Sequence, residues 1–331
     1  MRALAYHRFG DPEVLSFIER DPPAPRSLDV VVRVRATALN PKDVLERKGR
    51  FPKPLLGPLP RVPGYDLAGD IAAMGPGARR LLGRGDGPLR IGDAVFGMVG
   101  WMRGGACAQY AVLRATELAA KPRGLSYEQA AALPLCGLTA LQALRDDGGI
   151  REPRASTVVI HGASGGVGTL AIQVAKALGA HVISVSSERN VALCVSLGAD
   201  EARAYDAPPP GGLFSGLADI NVFFDCFGNQ PPDAVRGLLG PRGRHVSVLP
   251  RPRTFARDLL TRLPVGRHPG QQERLVIVRS RREDLEQLAA WVHEGALRPV
   301  IDQVRPWDEA AQAHAALETR RSRGKIVLTV A

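Results

Sequence analysis

The sequence predicts an α/β chain in two parts: a β-rich domain and, inserted into it, a doubly wound parallel sheet. Three observations carry this. Residues 1–123 read as short β-rich runs broken by Gly and Pro, residues 124–269 alternate apolar strands with helices, and residues 270–331 add one helix and one last strand without a domain of their own. Alternating apolar strands and helices imply a parallel sheet covered on both faces. At 331 residues the chain is also too long for one small core.

Taken in order, LDVVVRVRATAL (28–39) alternates in places as a half-buried strand does, and 67–73 and 94–99 are further short strands. MGPGARRLLGRGDGPLRIGD (74–93) reads as a long surface loop. From Ser126 the Ala- and Leu-rich run is helical, interrupted at Pro134. TVVIH, TLAIQVAKALGA, HVISV, NVALCVSLGA, EARAY, INVFFDCF and RHVSVL then supply the strand–helix alternation. REDLEQLAAWVHEGAL is an amphipathic helix, and KIVLTV is the closing strand.

Composition narrows the classes. With 45% apolar residues the chain can bury ordinary cores, and no apolar run approaches the ~20 residues of a membrane span. MRALAYHRFGDP lacks the apolar core of a secretory signal, so the expected location is the cytoplasm. The four cysteines, Cys107, Cys136, Cys194 and Cys226, are scattered, which speaks against a disulfide framework or a four-cysteine zinc lobe.

HGASGGVG (161–168) places four glycines within seven positions, after the strand and before the helix. Glycine allows unusual φ and close backbone approach, so amides at the helix start can reach a pyrophosphate. The spacing is GxxGGxG rather than GxGxxG, and the flanking strand and helix make it a dinucleotide turn of a Rossmann domain. At the end of the next strand an NAD site usually places an acid for the ribose hydroxyls. Here the run is Val185-Ser-Ser-Glu-Arg-Asn190. Ser187 and Arg189 suit a 2′-phosphate, so NADPH is expected ahead of NADH. Ser187 also serves as a helix cap, and Glu188 as a helix N-terminal acid.

ALNPKD (38–43), VPGYDLAG (62–69), GGACAQYAV (104–112), LPLCGLTAL (133–141), HGASGGVG (161–168), SLGAD (196–200) and RGKIVLTV (323–330) follow one another in a specific order and spacing. In this the chain resembles the medium-chain dehydrogenase/reductase superfamily, in its zinc-independent quinone oxidoreductase and enoyl reductase branch, which includes zeta-crystallin-like proteins. The resemblance implies a GroES-like catalytic domain over 1–123 and 270–331, a Rossmann domain over 124–269, and NADPH in the cleft. Zinc-dependent members carry Cys at the position of Asn40, Gly-His-Glu at Gly64-Tyr65-Asp66 and a second Cys near Cys136; only Cys136 matches, so no metal is expected.

By the same resemblance Asn40 would bond the nicotinamide carboxamide or the substrate oxygen. Thr139, Ser164, Gly165, Gly166 and Val167 would face the pyrophosphate, and Tyr205, Phe227 and Leu249 would line the cofactor. Relatives often carry a tyrosine where this chain has Phe51, so either Phe51 packs the mouth of the site or the proton comes from solvent, Tyr65 or Lys42. His161 reads as a packing or capping residue and His293 as solvated.

The implied activity is NADPH-dependent hydride transfer to a quinone or an α,β-unsaturated carbonyl without metal. Two alternatives stand beside it: a trans-acting reductase of enoyl-CoA or enoyl-carrier thioesters, and a lapsed NADPH-binding sensor or structural protein. The formal charge is +11, and residues 250–282 hold nine arginines against two acids. That stretch is a solvated loop, a dock for an acyl carrier protein or CoA phosphate, or a weak nucleic-acid attractor lacking interleaved aromatics. A homodimer is expected from the family.

Overall fold

In a computed structural model, residues 1–52, 57–83, 88–100, 102–150, 156–249, 258 and 270–331 are described. The chain divides into two compact units. One comprises residues 1–138, 279–295 and 299–331; the other comprises 139–278 and 296–298. The second unit thus begins later than the sequence suggests, near 139 rather than 124, and ends near 278 rather than 269.

The first unit is built on β1 (Arg2–Tyr6), β2 (Leu15–Glu19), β3 (Asp29–Ala38), β4 (Asp66–Met74), β5 (Ala94–Met98), β6 (Tyr110–Arg114) and β7 (Leu118–Ala120). The long β3 pairs antiparallel with both β4 and β6; Val30, Val31, Val32 and Val34 are buried and Arg33 is exposed. Helix α1 (Pro41–Arg47) follows β3 directly, α2 (Pro76–Leu82) follows β4, and α3 (Tyr127–Ala131) and α4 (Pro134–Leu141) follow β7. The expected loop at 74–93 therefore contains a helix, in which only Ala78 and Leu82 are buried. Ser126 caps α3 through its hydroxyl on the amide of Gln129, and α3 packs on β3 and β4, which keeps it with this unit. The core joins Val30, Val32, Leu67, Ile71 and Leu113 to Trp307 and Leu328 of the C-terminal segment.

The second unit carries β8 (Thr157–His161), β9 (His181–Ser186), β10 (Glu201–Ala204), β11 (Ile220–Asp225), β12 (Leu239–Ser247) and β13 (Gln272–Leu275). All pairings are parallel, in the order β10-β9-β8-β11-β12-β13. Numbered from β8, this is the doubly wound order 3-2-1-4-5-6, whose switch point lies between β8 and β11. Helices α5 (Gly166–Ala177) and α6 (Val191–Ser196) link its first strands. β13 extends the sheet beyond residue 269, which is why the unit ends later than expected.

The chain then returns to the first unit through the helix Arg282–His293, β14 (Ile301–Pro306), the helix Ala310–Glu318 and β15 (Lys325–Thr329). β15 pairs antiparallel with β3. It thereby brings residue 325 to the strand that ends just before Asn40.

Candidate active site

Among the described residues the candidate side chains fall into two groups, one in each unit. In the first, Asn40 occupies the N-cap position of α1 and donates its backbone N–H to Asp43 Oδ2 at 2.8 Å. Asp43 Oδ1 accepts from the amide of Gly64 at 2.9 Å. Gly64 has φ +96°, and a Cβ there would lie 2.8 Å from the amide of Cys107, so no other residue fits this bend. Burial drives the Asp43 carboxyl up to about 7, against the pull of these two amides.

Beneath that turn lies a buried cation. Lys325 Nζ donates to Asn40 Oδ1 at 2.6 Å and to Asp66 Oδ2 at 2.9 Å. Asn40 Nδ2 donates to the same Asp66 oxygen at 3.0 Å and to the carbonyl of Ala38 at 3.2 Å. Asp66 Oδ1 receives the amide of Leu135 at 2.6 Å, and Cys136 Sγ lies 3.9 Å from Asn40 Oδ1. Burial alone would strip the Lys325 proton, but the Asp66 carboxylate outweighs it and holds the ammonium above its ordinary value. Burial likewise raises Cys136, which stays a thiol. At the positions where the resemblance puts zinc ligands, Asn40, Asp66 and Cys136 enclose an ammonium from their own chain.

Tyr65 is fully buried; its hydroxyl donates to Glu46 Oε1 at 2.6 Å and accepts from Arg61 Nη2 at 3.1 Å. Burial, then the Glu46 charge, pushes its pKa far above the ordinary value. Arg61 also pairs with Glu46 Oε2 at 3.2 Å. The Lys42 ammonium lies 3.9 Å over the Tyr65 ring, 5.1 Å from the Phe51 ring and 3.6 Å from Glu46 Oε1. Desolvation lowers it to about 8, although Glu46 and Asp43 pull the other way.

The second group sits at the C-terminal ends of the parallel strands. After His161 the chain turns at Gly162, φ +80°, and a Cβ on Gly168 would lie 2.3 Å from the Gly162 carbonyl. A Cβ on Gly165 would meet nothing closer than 3.5 Å, so the outer side of the turn is open. The first helical bond runs from Thr169 N to Gly165 O, which leaves the amides of Gly166, Val167 and Gly168 ahead of it to receive an anion. Asp225, at the end of β11, accepts from the amides of Phe227, Gly228 and Gln230 and pairs with His161 Nδ1 at 3.2 Å. His161 is thus a bracing residue. Tyr205, Phe227 and Leu249 follow β10, β11 and β12 and stay 55%, 44% and 40% exposed. These three large apolar side chains stay open at the C-terminal ends of three parallel strands.

Ser187 is buried and Arg189 exposed at the end of β9, while Thr139 is buried on α4. The Glu188 amide donates to Asp206 at 2.7 Å. The arginines from Arg251 to Arg267 lie outside the described residues; Arg274 pairs with Asp258 at 3.5 Å, and Arg282 with Glu286 at 2.7 Å.

The sheet order and the glycine turn are those of a dinucleotide-binding domain. The family described as alcohol dehydrogenase GroES-like domain matches residues 26–123, and the one described as zinc-binding dehydrogenase matches 197–328. A chloroplast envelope quinone oxidoreductase homolog of Arabidopsis thaliana is 29% identical, covering 99% of this chain and 98% of its own. A trans-enoyl reductase of Aspergillus terreus is 32% identical over 91% of this chain and 86% of its own. The solved structure of Escherichia coli quinone oxidoreductase complexed with NADPH superposes with a TM-score of 0.78 at 25% identity, covering 99% and 100% of the two chains. The chain belongs to the medium-chain dehydrogenase/reductase superfamily and is an NAD(P)-dependent oxidoreductase.

Sequence reading missed Lys325, Glu46, Arg61 and Asn190. One signal for Lys325 was available: a lone lysine, one of six in the chain, opening an otherwise apolar strand.

Proposed function

We propose that this enzyme is a metal-independent reductase that uses NADPH to deliver hydride to a quinone or an α,β-unsaturated carbonyl. The observation that carries the metal-independent part is the Lys325 ammonium held by Asn40 and Asp66. A divalent ion at these donors would have to expel that ammonium and ionise a buried thiol, two unfavourable steps at once. Lacking a Lewis acid to stabilise an alkoxide, the enzyme acts on acceptors that are already polarised.

When bound, NADPH supplies the hydride. Gly165, Gly166, Val167 and Ser164 hold its pyrophosphate, Ser187 and Arg189 its 2′-phosphate, and Tyr205, Phe227 and Leu249 its apolar faces. Asn40 and Tyr65, expected at the chemistry, are committed to internal bonds, and Phe51 has no proton to give. Of the remaining sources, Lys42, partly buried, paired with Glu46 at 3.6 Å, lowered to about 8 and set beside Phe51, is the proposed donor, with solvent as the alternative. With a polarised acceptor in place, Lys42 would give a proton to the atom that carries the negative charge of the reduced acceptor and be recharged by water. The trans-enoyl reductase of Aspergillus terreus supports an α,β-unsaturated acceptor, and the quinone oxidoreductase homolog of Arabidopsis thaliana supports a quinone.

The test is a titration with NADPH and NADH followed by a panel of quinones and enones, read at the reduced-cofactor absorbance. Acceptor-dependent oxidation of NADPH is expected; selective binding with no oxidation by any acceptor favours the lapsed binding protein. No helix among the described residues is long and apolar enough to cross a membrane. Light scattering tests the proposed homodimer.

A further inference from the structure

Between the glycine turn and the end of β9 lies a buried amide that the reading above leaves without a role. Asn190 is 4% exposed, and its Nδ2 donates to Ser164 Oγ at 2.9 Å and to Ser187 Oγ at 3.0 Å. Its Oδ1 is buried without a partner among the described residues. We propose that Asn190 is a positioning residue that arms both hydroxyls as donors to the phosphates of a dinucleotide. This rests on the cofactor reading above and assigns the residue that orients its ligands.

The direction of the bonds follows from counting donors. A primary amide has two protons, and here each is given to one hydroxyl oxygen. Turned over, the amide would bury two N–H donors without acceptors instead of one carbonyl oxygen, which is the more costly arrangement. Each serine oxygen therefore spends an acceptor site on Asn190, and its own proton must point elsewhere. Among the described residues neither proton has an acceptor.

Their places separate the two phosphates. Ser164 stands in the glycine turn ahead of the unbonded amides of Gly166, Val167 and Gly168, where a pyrophosphate oxygen accepts. Ser187 follows β9 at the ribose end, next to Arg189, where only a 2′-phosphate brings an anionic acceptor. One amide thus couples the affinity for the pyrophosphate to the choice of NADPH over NADH.

The experiment is direct binding by nicotinamide fluorescence, with NADPH and with NADH. The proteins are the wild type, Ser164→Ala, Ser187→Ala, Asn190→Leu and the two Ser/Leu doubles, each checked for folding by thermal melting. Ser187→Ala should weaken NADPH about tenfold and NADH less than about twofold, and Ser164→Ala should weaken both about tenfold. Asn190→Leu should weaken both, and on that background each serine change should cost less than about twofold, because its hydroxyl is no longer oriented. Asn190→Asp, with its own two serine doubles, keeps the volume but can only accept, so it should show the same non-additivity even where Asn190→Leu does not fold. Fully additive changes, or an Asn190 variant that binds both cofactors as the wild type does, overturn this proposal and leave the cofactor site standing. A wild-type protein that binds neither cofactor overturns both.

Discussion

The two polar clusters differ in what they leave unspent. Around Lys325 the strong polar groups pair inside the chain: the ammonium with Asn40 and Asp66, the Asp66 carboxylate with Leu135, the Asn40 amide with Ala38. At the glycine turn the opposite holds. Amides precede the first helical bond, two hydroxyl protons have no described acceptor, and three apolar side chains stay open. A closed network holds its own parts in place, whereas an unfinished one is built for a ligand. On the proposed reading, residues of the first kind should govern stability and residues of the second should govern cofactor affinity.

Substitutions can break that contrast. The largest effect falls on the closed cluster. Lys325→Met strands a buried Asp66 carboxylate and should cost about 3–5 kcal/mol in chemical denaturation, far more than any exposed ion pair. Next comes Lys42→Met, expected to lower kcat about a hundredfold while leaving NADPH affinity unchanged. The wild-type kcat should fall as pH rises through about 8, where the Lys42 ammonium loses its proton, and the variant should lose that limb of the profile. A pH profile that survives Lys42→Met unaltered removes Lys42 as the donor.

A smaller effect concerns His314, buried in the helix Ala310–Glu318 with neither ring nitrogen bonded among the described residues. Burial, and then the charge of Arg47, lowers it from 6.5 to about 3. The folded protein keeps it neutral while the unfolded chain protonates below 6.5, so its contribution is complete above 6.5 and lost as pH falls towards 3. At pH 5 the loss is about 2 kcal/mol, and His314→Leu should flatten that part of the stability curve. The smallest effect is on affinity: Arg189→Ala should weaken NADPH about tenfold, less so at high salt, and leave NADH unchanged.

The contrast also explains what the sequence reveals. The glycine turn is legible because backbone geometry restricts Gly162 and Gly168 to one residue type, and the strand and helix flanking it are local. The helix Arg282–His293 is legible from its amphipathic period. By contrast, α2 buries only two apolar residues over seven, too few to give a period, and reads as loop. The Ala- and Leu-rich run of α3 signals a helix but carries no mark of which sheet it will cover, so the boundary of the second unit is placed too early. Lys325 is the least legible of all. Its partners lie 285 and 259 residues away, and only the pairing of β15 with β3 brings them together.

In the proposed metal-independent enzyme the Lys325 ammonium, held by Asn40 and Asp66, occupies the place a divalent ion would need. The most direct test is elemental analysis of the purified enzyme, paired with its NADPH-dependent reduction of a quinone or enone before and after exhaustive chelation. No stoichiometric zinc and unchanged turnover are expected. One zinc per chain, with turnover lost on chelation and restored by zinc, would contradict the metal-independent reading.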